Sequence, residues 1–270
     1  MTPDRHFFVA LTFDVDAETL WLNRDPENAS RPVVMSQGRY GAEVGLRRIL
    51  DLLNEHSVVA TFFVPGWVAE QHPREISDIV AQGHEVAHHG YLHEWPSRLA
   101  IEEERAVLRR GTEALTHLTG VRPLGYRAPG LELSAHTLEL LSEEGFRYSS
   151  NLMDRDAPYI IRLNTSELAE LPLDWALTDS THFLYALQLP GTRIAPSSVA
   201  REIWFDALDA AYASGHPFLL TMHPQLIGRP YRIGLLDAVI RRAKSHANVR
   251  FVACRDLADR VHEVTDVDRR

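Results

Sequence analysis

The chain has 270 residues, with 37 acidic and 28 basic side chains and a formal net charge of −9. Because no run of Lys or Arg interrupts this acidic balance, a nucleic-acid partner is not expected. The hydrophobic content of 45% is typical of a soluble globular protein, and no apolar run approaches the ~20 residues that a membrane-spanning helix needs.

Short apolar runs alternate with amphipathic segments along the chain. Residues 7–13 form an unbroken apolar run, which predicts a buried parallel strand. Similar runs predict strands at 58–64, 85–88, 124–126, 146–149, 168–173, 217–222 and 249–252. Apolar residues at helical spacing predict helices at 41–56, 73–82, 101–118, 134–144, 197–214, 233–245 and 255–264. Residues 23–40 are polar and contain Pro26 and Pro32, which indicates a lid-like loop.

The alternation of strand and helix repeats about seven times, which favours a parallel sheet with helices outside it. Polar residues follow several of the predicted strands, as they do at the C-terminal mouth of an α/β barrel. An open, doubly wound sheet is the competing architecture, although no Gly-x-Gly-x-x-Gly follows the first strand. The chain shows no linker or internal repeat, so we expect one domain.

Two carboxylates follow the first predicted strand. Asp14 and Asp16 are two residues apart, so on an extended chain they face the same side and can line one pocket. One of them could bind a cation while the other acts as a base. A solvated strand end or a helix cap is the alternative interpretation of such a pair.

Residues 83–96 contain four of the fourteen histidines. His89 and His93 are four residues apart, and on a helical turn both imidazoles would face one side and could hold one metal ion. A polar loop with hydrogen-bonded histidines is the alternative. Together with Asp16 they form a two-histidine, one-carboxylate set, which suits a catalytic zinc, cobalt, manganese or iron(II) ion. His88 is expected to point elsewhere, into the core or behind the site.

Four short motifs occur in order, each after a predicted strand. They are Phe-Asp-Val-Asp at 13–16, His-Gly-Tyr-Leu-His-Glu at 89–94, Tyr-Arg-Ala-Pro at 126–129 and Leu-Thr-Met-His-Pro at 220–224. The set resembles the ordered motifs of the polysaccharide deacetylase family, also called NodB-homology carbohydrate esterases, over residues 7 to about 257. The resemblance implies an irregular (β/α)7-type barrel and a single catalytic domain over residues 1–270.

The resemblance also implies roles for individual residues. Asp14 is the implied general base, Arg127 orients its carboxylate, and His223 is the implied general acid that protonates the leaving nitrogen. The implied metal ligands are Asp16, His89 and His93, with zinc as the expected ion.

The motifs also depart from the family pattern. Val15 separates two aspartates that are usually adjacent, and Gly130 stands where an aromatic residue usually follows the Arg-x-Pro motif. These features resemble a subgroup that includes peptidoglycan deacetylase-like, allantoinase-like and cyclic imide hydrolase proteins. Residues 171–179 resemble its fourth motif. We therefore expect substrate contacts from Trp175, Asp179 and Pro129, although Trp175 could equally be a core residue.

The function expected from these observations is hydrolysis of a carbon–nitrogen bond other than a peptide bond. The substrate is either an N-acetylated sugar, which would lose acetate, or a small cyclic amide or imide, which would be ring-opened. The alternative is a catalytically inactive barrel that binds a carbohydrate or a small molecule.

Two further expectations concern the cellular compartment and the oligomeric state of the protein. Cys254 is the only cysteine, so an intramolecular disulfide is impossible, and residues 1–6 show no signal-peptide pattern, which together indicate a cytoplasmic protein. The subgroup resemblance and the polar segment 23–40 predict a homo-oligomer, a dimer or a tetramer.

Overall fold

The computed structural model describes residues 6–164, 166–186 and 192–267. Its sheet contains the strands β1 (Phe7–Asp14), β2 (Thr61–Val64), β3 (Glu85–His88), β4 (Gly125–Tyr126), β5 (Tyr148–Ser149), β6 (Tyr159–Arg162), β7 (Glu167–Glu170), β8 (Phe218–Met222) and β9 (Val249–Phe251). The strand order is β6-β7-β5-β4-β3-β2-β1-β8, and β9 pairs with β1. All these pairs are parallel except β6 with β7.

The sheet curls towards closure between its ends. The chain that leaves β7 returns to the far side of the sheet, where Thr178 forms a parallel bridge with Thr221 of β8. The structure is therefore an irregular (β/α)7-type barrel, and the predicted fold class is confirmed. In such a barrel the C-terminal ends of the parallel strands meet at one mouth, where enzymes of this architecture keep their catalytic residues.

The long helices cover the outside of the sheet, and three short ones contribute residues to the cavity at its mouth. The helices are α1 (Thr19–Leu22), α2 (Pro32–Tyr40), α3 (Leu46–Glu55), α4 (Gly66–Gln71), α5 (Pro73–Ala81), α6 (Ile101–Thr119), α7 (Thr137–Glu143), α8 (Ser180–Phe183), α9 (Ser197–Ser214), α10 (Pro224–Ile227), α11 (Ile233–Lys244) and α12 (Cys254–Val267). A π-helical turn, Gly41–Gly45, joins α2 to α3. None of the described helices is both long and apolar enough to cross a bilayer.

The core explains why the first strand is an unbroken apolar run. Seven of the eight residues of β1 are buried. One face of this central strand points into the packed interior of the barrel, and helices cover the other face. Phe13 stacks on Phe62 of β2 with ring centroids 4.9 Å apart. The main apolar cluster joins β1 and β2 to α3, α9 and α11 through residues such as Leu46, Trp204 and Leu236.

The prediction of a loop at residues 23–40 is wrong, because most of this segment is helical. A 3₁₀ turn spans Pro26–Ser30 and α2 spans Pro32–Tyr40. Both prolines occupy the first turn of a helix, where the missing N–H costs nothing, and the Asp25 carboxylate caps the 3₁₀ turn by accepting from the N–H of Glu27. The buried side chains of Val34 and Trp21 then pack together.

Candidate active site

The carboxylates of Asp14 and Asp16 lie at the mouth of the barrel, at the end of β1. Asp14 is its last residue and Asp16 follows two positions later. Both side chains are almost fully buried. Ala17, immediately after them, has φ of 46°, so the chain turns sharply into α1 and leaves both carboxylates at the mouth.

The two histidines of the His-x-x-x-His pattern reach one point by a different backbone path from the one expected. The segment after β3 is a tight loop and not a helical turn. Gly90 has φ of 76° and His93 has φ of 63°, a left-handed conformation that is unfavourable for a residue with a Cβ. The Glu94 carboxylate accepts the N–H groups of Tyr91 and Leu92, at 3.1 and 2.7 Å, and holds the loop in this shape.

Asp16, His89 and His93 form a cluster that could hold a metal ion, with one ligand atom from each lying within 4.8 Å of the other two. Asp16 Oδ1 is 3.3 Å from Nε2 of His89 and 3.6 Å from Nε2 of His93. Nδ1 of His89 donates to the carbonyl of Arg127 at 2.7 Å, which leaves Nε2 as the free ligand atom.

The cluster fits a divalent cation because it contains a buried carboxylate oxygen without a hydrogen-bond partner. Asp16 Oδ1 is buried and has no hydrogen-bond partner among the residues described, and such an orphaned atom is costly unless something binds it. Burial lowers the pKa of His93 to about 4, even though Asp16 raises it, so this imidazole is neutral and able to ligate at neutral pH. Burial raises the pKa of Asp16, but the three surrounding histidines outweigh it and hold the pKa far below its usual value.

Arg127 is fully buried inside the barrel and is bonded to Asp14. Its Nη1 donates to Asp14 Oδ1 at 2.7 Å and to the Thr12 hydroxyl at 2.9 Å, and its Nη2 donates to the Ser150 hydroxyl at 3.0 Å. The guanidinium also lies over the ring of Phe63, 4.0 Å from its centroid. These contacts fix the orientation of the Asp14 carboxylate by a charge-assisted pair.

His223 approaches the same point from the end of β8. Its Nε2 lies 4.0 Å from Asp14 Oδ2 and 3.7 Å from Asp16 Oδ2. Its Nδ1 is 2.6 Å from Asp179 Oδ1. Burial alone would lower the pKa of His223, but the carboxylates of Asp179 and Asp16 raise it to about 10, so the imidazole is protonated at neutral pH.

Five of these groups, Asp14, Asp16, His89, His93 and His223, line a cavity of about 240 Å³. Trp175 contributes to its wall although the side chain is 49% exposed. Pro129 and Asp179 are not part of that wall, and Asp179 lies behind His223. A wider groove of about 610 Å³ lies between Met153 and Pro217 and holds none of the predicted catalytic or metal-binding residues.

Gly130 borders the cavity beside Trp95. It has φ of 72°, and a Cβ at this position would come within 3.2 Å of the Trp95 indole. Trp95 therefore occupies the space beside Gly130. Position 130 is the one at which the family pattern described above has an aromatic residue.

Several residues of the cavity wall were not predicted from the sequence, and two of them, Gln225 and Arg24, have long polar side chains. Gln225, in the first turn of α10, donates from Nε2 to Asp16 Oδ2 at 3.4 Å. Arg24, just after α1, also lines the cavity. Gln225 stands two residues after His223, which was a usable signal, but nothing in the local sequence distinguished Arg24 from other surface arginines.

His88 is a core residue. Its ring is fully buried, and Nε2 lies 3.1 Å from the carbonyl of Leu108 in α6, while Nδ1 accepts from the N–H of Gly90 at 3.1 Å. Burial lowers the pKa of His88 to about 3, so the ring is neutral. It ties α6 to the loop that carries His89 and His93.

Comparisons with known proteins identify the family of this chain. A sequence profile described as polysaccharide deacetylase matches residues 3–149. The peptidoglycan deacetylase of Helicobacter pylori is 31% identical over 283 residues, covering 94% of this chain and 96% of that protein.

Two solved structures are similar over almost the whole chain. A putative polysaccharide deacetylase from Mycobacterium smegmatis is 41% identical, with a TM-score of 0.94 and coverage of 98% of this chain and 93% of that one. The allantoinase PuuE is 26% identical, with a TM-score of 0.84 and coverage of 97% and 92%. This chain therefore belongs to the polysaccharide deacetylase family and is a hydrolase of carbon–nitrogen bonds other than peptide bonds.

Proposed function

We propose that this protein is a metal-dependent hydrolase of a small cyclic amide, imide or ureide, whose ring it opens. The observation that carries the substrate class is the size of the cavity. At about 240 Å³ it is smaller than the ~300–1,000 Å³ usual for ligand pockets, and Trp95 and Trp175 belong to its wall. A compact ring fits such a space better than a polymer chain does.

The proposed metal ligands are Asp16, His89 and His93, with zinc as the expected ion and cobalt, manganese or iron(II) as alternatives. A divalent cation bound there supplies Lewis acidity, which polarises the substrate carbonyl and lowers the pKa of a bound water. Gln225 supports this set by donating to the second oxygen of Asp16.

Asp14 is the proposed general base. Arg127 occupies its Oδ1, which leaves Oδ2 to take a proton from the attacking water. As the water oxygen adds to the carbonyl carbon, the carbon–nitrogen bond must break, and the leaving nitrogen needs a proton.

His223 is the proposed general acid that gives this proton. It is protonated at neutral pH, and its Nε2 lies 4.0 Å from Asp14 Oδ2, so base and acid flank the same part of the cavity. Asp179 holds Nδ1 at 2.6 Å, so it is Nε2 that can transfer the proton.

Deacetylation of an N-acetylated amino sugar is the second candidate. It is favoured by the Helicobacter pylori relative, a peptidoglycan deacetylase that matches this chain over 94% of its length. The same base and acid would serve, with acetate as the acyl product and the amine of the sugar as the leaving group.

A substrate panel tests the proposal. Protein loaded with zinc, cobalt or manganese would be given allantoin, hydantoin, succinimide, glutarimide, N-acetylglucosamine and acetylated chito-oligosaccharides. We expect turnover of the cyclic compounds by the unmodified protein and by the surface variant Asp206→Asn, but not by Asp14→Asn. Turnover of the acetylated sugars alone would replace the first candidate with the second. If a catalytically inactive barrel is the correct reading, ligands will bind and none will be hydrolysed.

We also propose that the chain forms a homo-oligomer. The support for this proposal is the subgroup resemblance, and Val33 and Tyr231, which are 74% and 70% exposed, are large apolar side chains that contact with another copy would bury. Sedimentation at micromolar concentration should give a dimer or tetramer, and a monomer would contradict the proposal.

A further inference from the structure

Arg24 is a cationic side chain on the wall of the catalytic cavity for which the chemistry proposed above has no use. It follows Asn23, whose side-chain amide donates to the carbonyl of His93 at 2.6 Å. This bond ties the backbone beside Arg24 to the loop that carries two of the proposed metal ligands. The guanidinium carbon lies 5.6 Å from the ring centroid of Trp95, which lines the same cavity.

Within the described part of the chain, no carboxylate lies close enough to Arg24 to form an ion pair, and its guanidinium makes no hydrogen bond. The neighbouring Arg31, by contrast, pairs with Asp25 at 3.4 Å. Arg24 is exposed to solvent at the cavity wall, and the charge of Asp16 acts on it without forming an ion pair, so its guanidinium is accessible to an anionic ligand that enters the cavity.

A second unsatisfied donor belongs to the same wall. The indole N–H of Trp95 is buried and has no hydrogen-bond partner among the residues described. A buried donor of this kind is normally matched by an acceptor. A ligand oxygen that accepted from this N–H would lie beside Gly130, which lines the same cavity as Arg24.

We infer that Arg24 binds a carboxylate of the substrate, so that this enzyme acts on amides or cyclic amides that carry a carboxylate outside the bond it cleaves. The inference rests on the proposed function. A guanidinium matches a carboxylate with two parallel hydrogen bonds. A monoanion also suits the site better than a phosphate does, because Asp14 and Asp16 already concentrate negative charge in a cavity of about 240 Å³.

Two matched pairs of probes test the inference for either substrate class. Hydantoin-5-acetic acid is compared with hydantoin-5-acetamide, and N-acetylmuramic acid with N-acetylglucosamine, since the charged member of each pair carries the additional carboxylate. Binding is measured by calorimetry on the zinc-loaded protein and on Arg24→Gln, and turnover is measured in parallel. Arg98→Gln is the control, because Arg98 also lies over Trp95, at 4.1 Å, but is not part of the cavity wall.

We expect the unmodified protein to bind the charged member of at least one pair about ten- to a hundredfold more tightly. Arg24→Gln should lose this preference while its affinity for the neutral member stays the same, and Arg98→Gln should keep it. Equal affinity for both members in the unmodified protein, or a preference that survives in Arg24→Gln, overturns the inference. Absence of turnover in all metal-loaded samples counts against the proposed function instead, since the calorimetry decides the role of Arg24 without it.

Discussion

His223 and Asp179 are joined by two hydrogen bonds, although 44 positions separate them in the chain. Nδ1 of His223 donates to Oδ1 of Asp179 at 2.6 Å, and the backbone N–H of His223 donates to Oδ2 at 2.9 Å. The carboxylate is fully buried. It therefore fixes the ring orientation and, together with Asp16, stabilises the imidazolium form.

Replacing Asp179 by Asn should move the alkaline limit of activity to lower pH. The proposed acid form of His223 exists below its pKa, which is raised to about 10, and removing a principal cause of the increase lowers that pKa. We expect the alkaline limb of kcat to shift down by at least about one pH unit. A pH–rate profile from about pH 6 to about pH 11 measures this shift. Asp206→Asn, on the exposed face of α9, should leave the limb where it is, and an unmoved limb in Asp179→Asn would remove His223 from the role of acid.

Replacement of the two aspartates after β1 should separate catalysis from metal binding. Asp14→Asn should lower kcat by roughly 10²–10⁴-fold and leave zinc binding intact, because Asp14 is bonded to Arg127 and is not part of the metal cluster. Asp16→Asn should lower zinc affinity by at least about 10–100-fold, because a neutral amide replaces the charged ligand.

Calorimetric zinc titration with metal analysis after dialysis distinguishes the two variants. A variant at Asp14 that loses zinc, or one at Asp16 that keeps a full equivalent, would show that the ligand set is misassigned.

Replacing each of two helical glycines by alanine should change the free energy of unfolding in opposite directions. A Cβ at Gly111 in α6 would lie 2.3 Å from Nε2 of His88 and 2.8 Å from the carbonyl of Gly90, whereas a Cβ at Gly234 in α11 meets nothing within 4 Å. We expect Gly111→Ala to lower the free energy of unfolding by roughly 2–4 kcal/mol. The matched variant Gly234→Ala should raise it by ~0.5 kcal/mol, because alanine favours helix.

Chemical denaturation monitored by circular dichroism gives both values. Zinc affinity should fall in Gly111→Ala as well, since His88 and Gly90 adjoin His89. Equal effects of the two substitutions would mean that α6 and the loop do not pack as closely as these distances imply.

The buried His88 should make the fold sensitive to acid. Its pKa is lowered to about 3 in the folded protein by burial, against an unfolded value of about 6.5. Between these two values the unfolded state binds more protons, so the free energy of unfolding should decrease as pH falls from about 6.5 towards about 3.

Urea denaturation at several pH values measures this slope. His88→Gln should be less stable at neutral pH, since it disturbs the contacts with Leu108 and Gly90, but its stability should fall less steeply in acid. If the slopes were the same, His88 would not be the group that titrates.

Local sequence was sufficient for most strands and for the long helices, but it missed the antiparallel strand β6, the helix α4 and the helical path at 23–40. β1 is an apolar run because both of its faces are covered, and such a run is visible in the sequence. The helical path at 23–40 depends on contacts with distant residues, such as Ala186 against Trp21 and Val34. These contacts compensate for the low helix propensity that two prolines and several polar residues indicate.

The His-x-x-x-His spacing brings two imidazoles together without a helical turn. Imidazoles four residues apart meet in a helix, but they also meet when Gly90 and His93 adopt left-handed backbone conformations. The strain at His93 is held by Asn23 and Glu94, and their contribution depends on contacts that spacing alone does not specify.

The sequence by itself determined the alternation of strands and helices, the resemblance to the family and the chemical types at the site, because strand periodicity and the order of short motifs are local properties of a chain. Only the tertiary structure decided which groups meet. Closure of the sheet brings Asp14 and Arg127 within 2.7 Å across 113 positions, sets Asp179 behind His223 rather than in the cavity wall, and brings Arg24 to that wall beside Trp95. Such contacts follow from the curvature of the sheet and from packing between distant segments, which residue spacing cannot report.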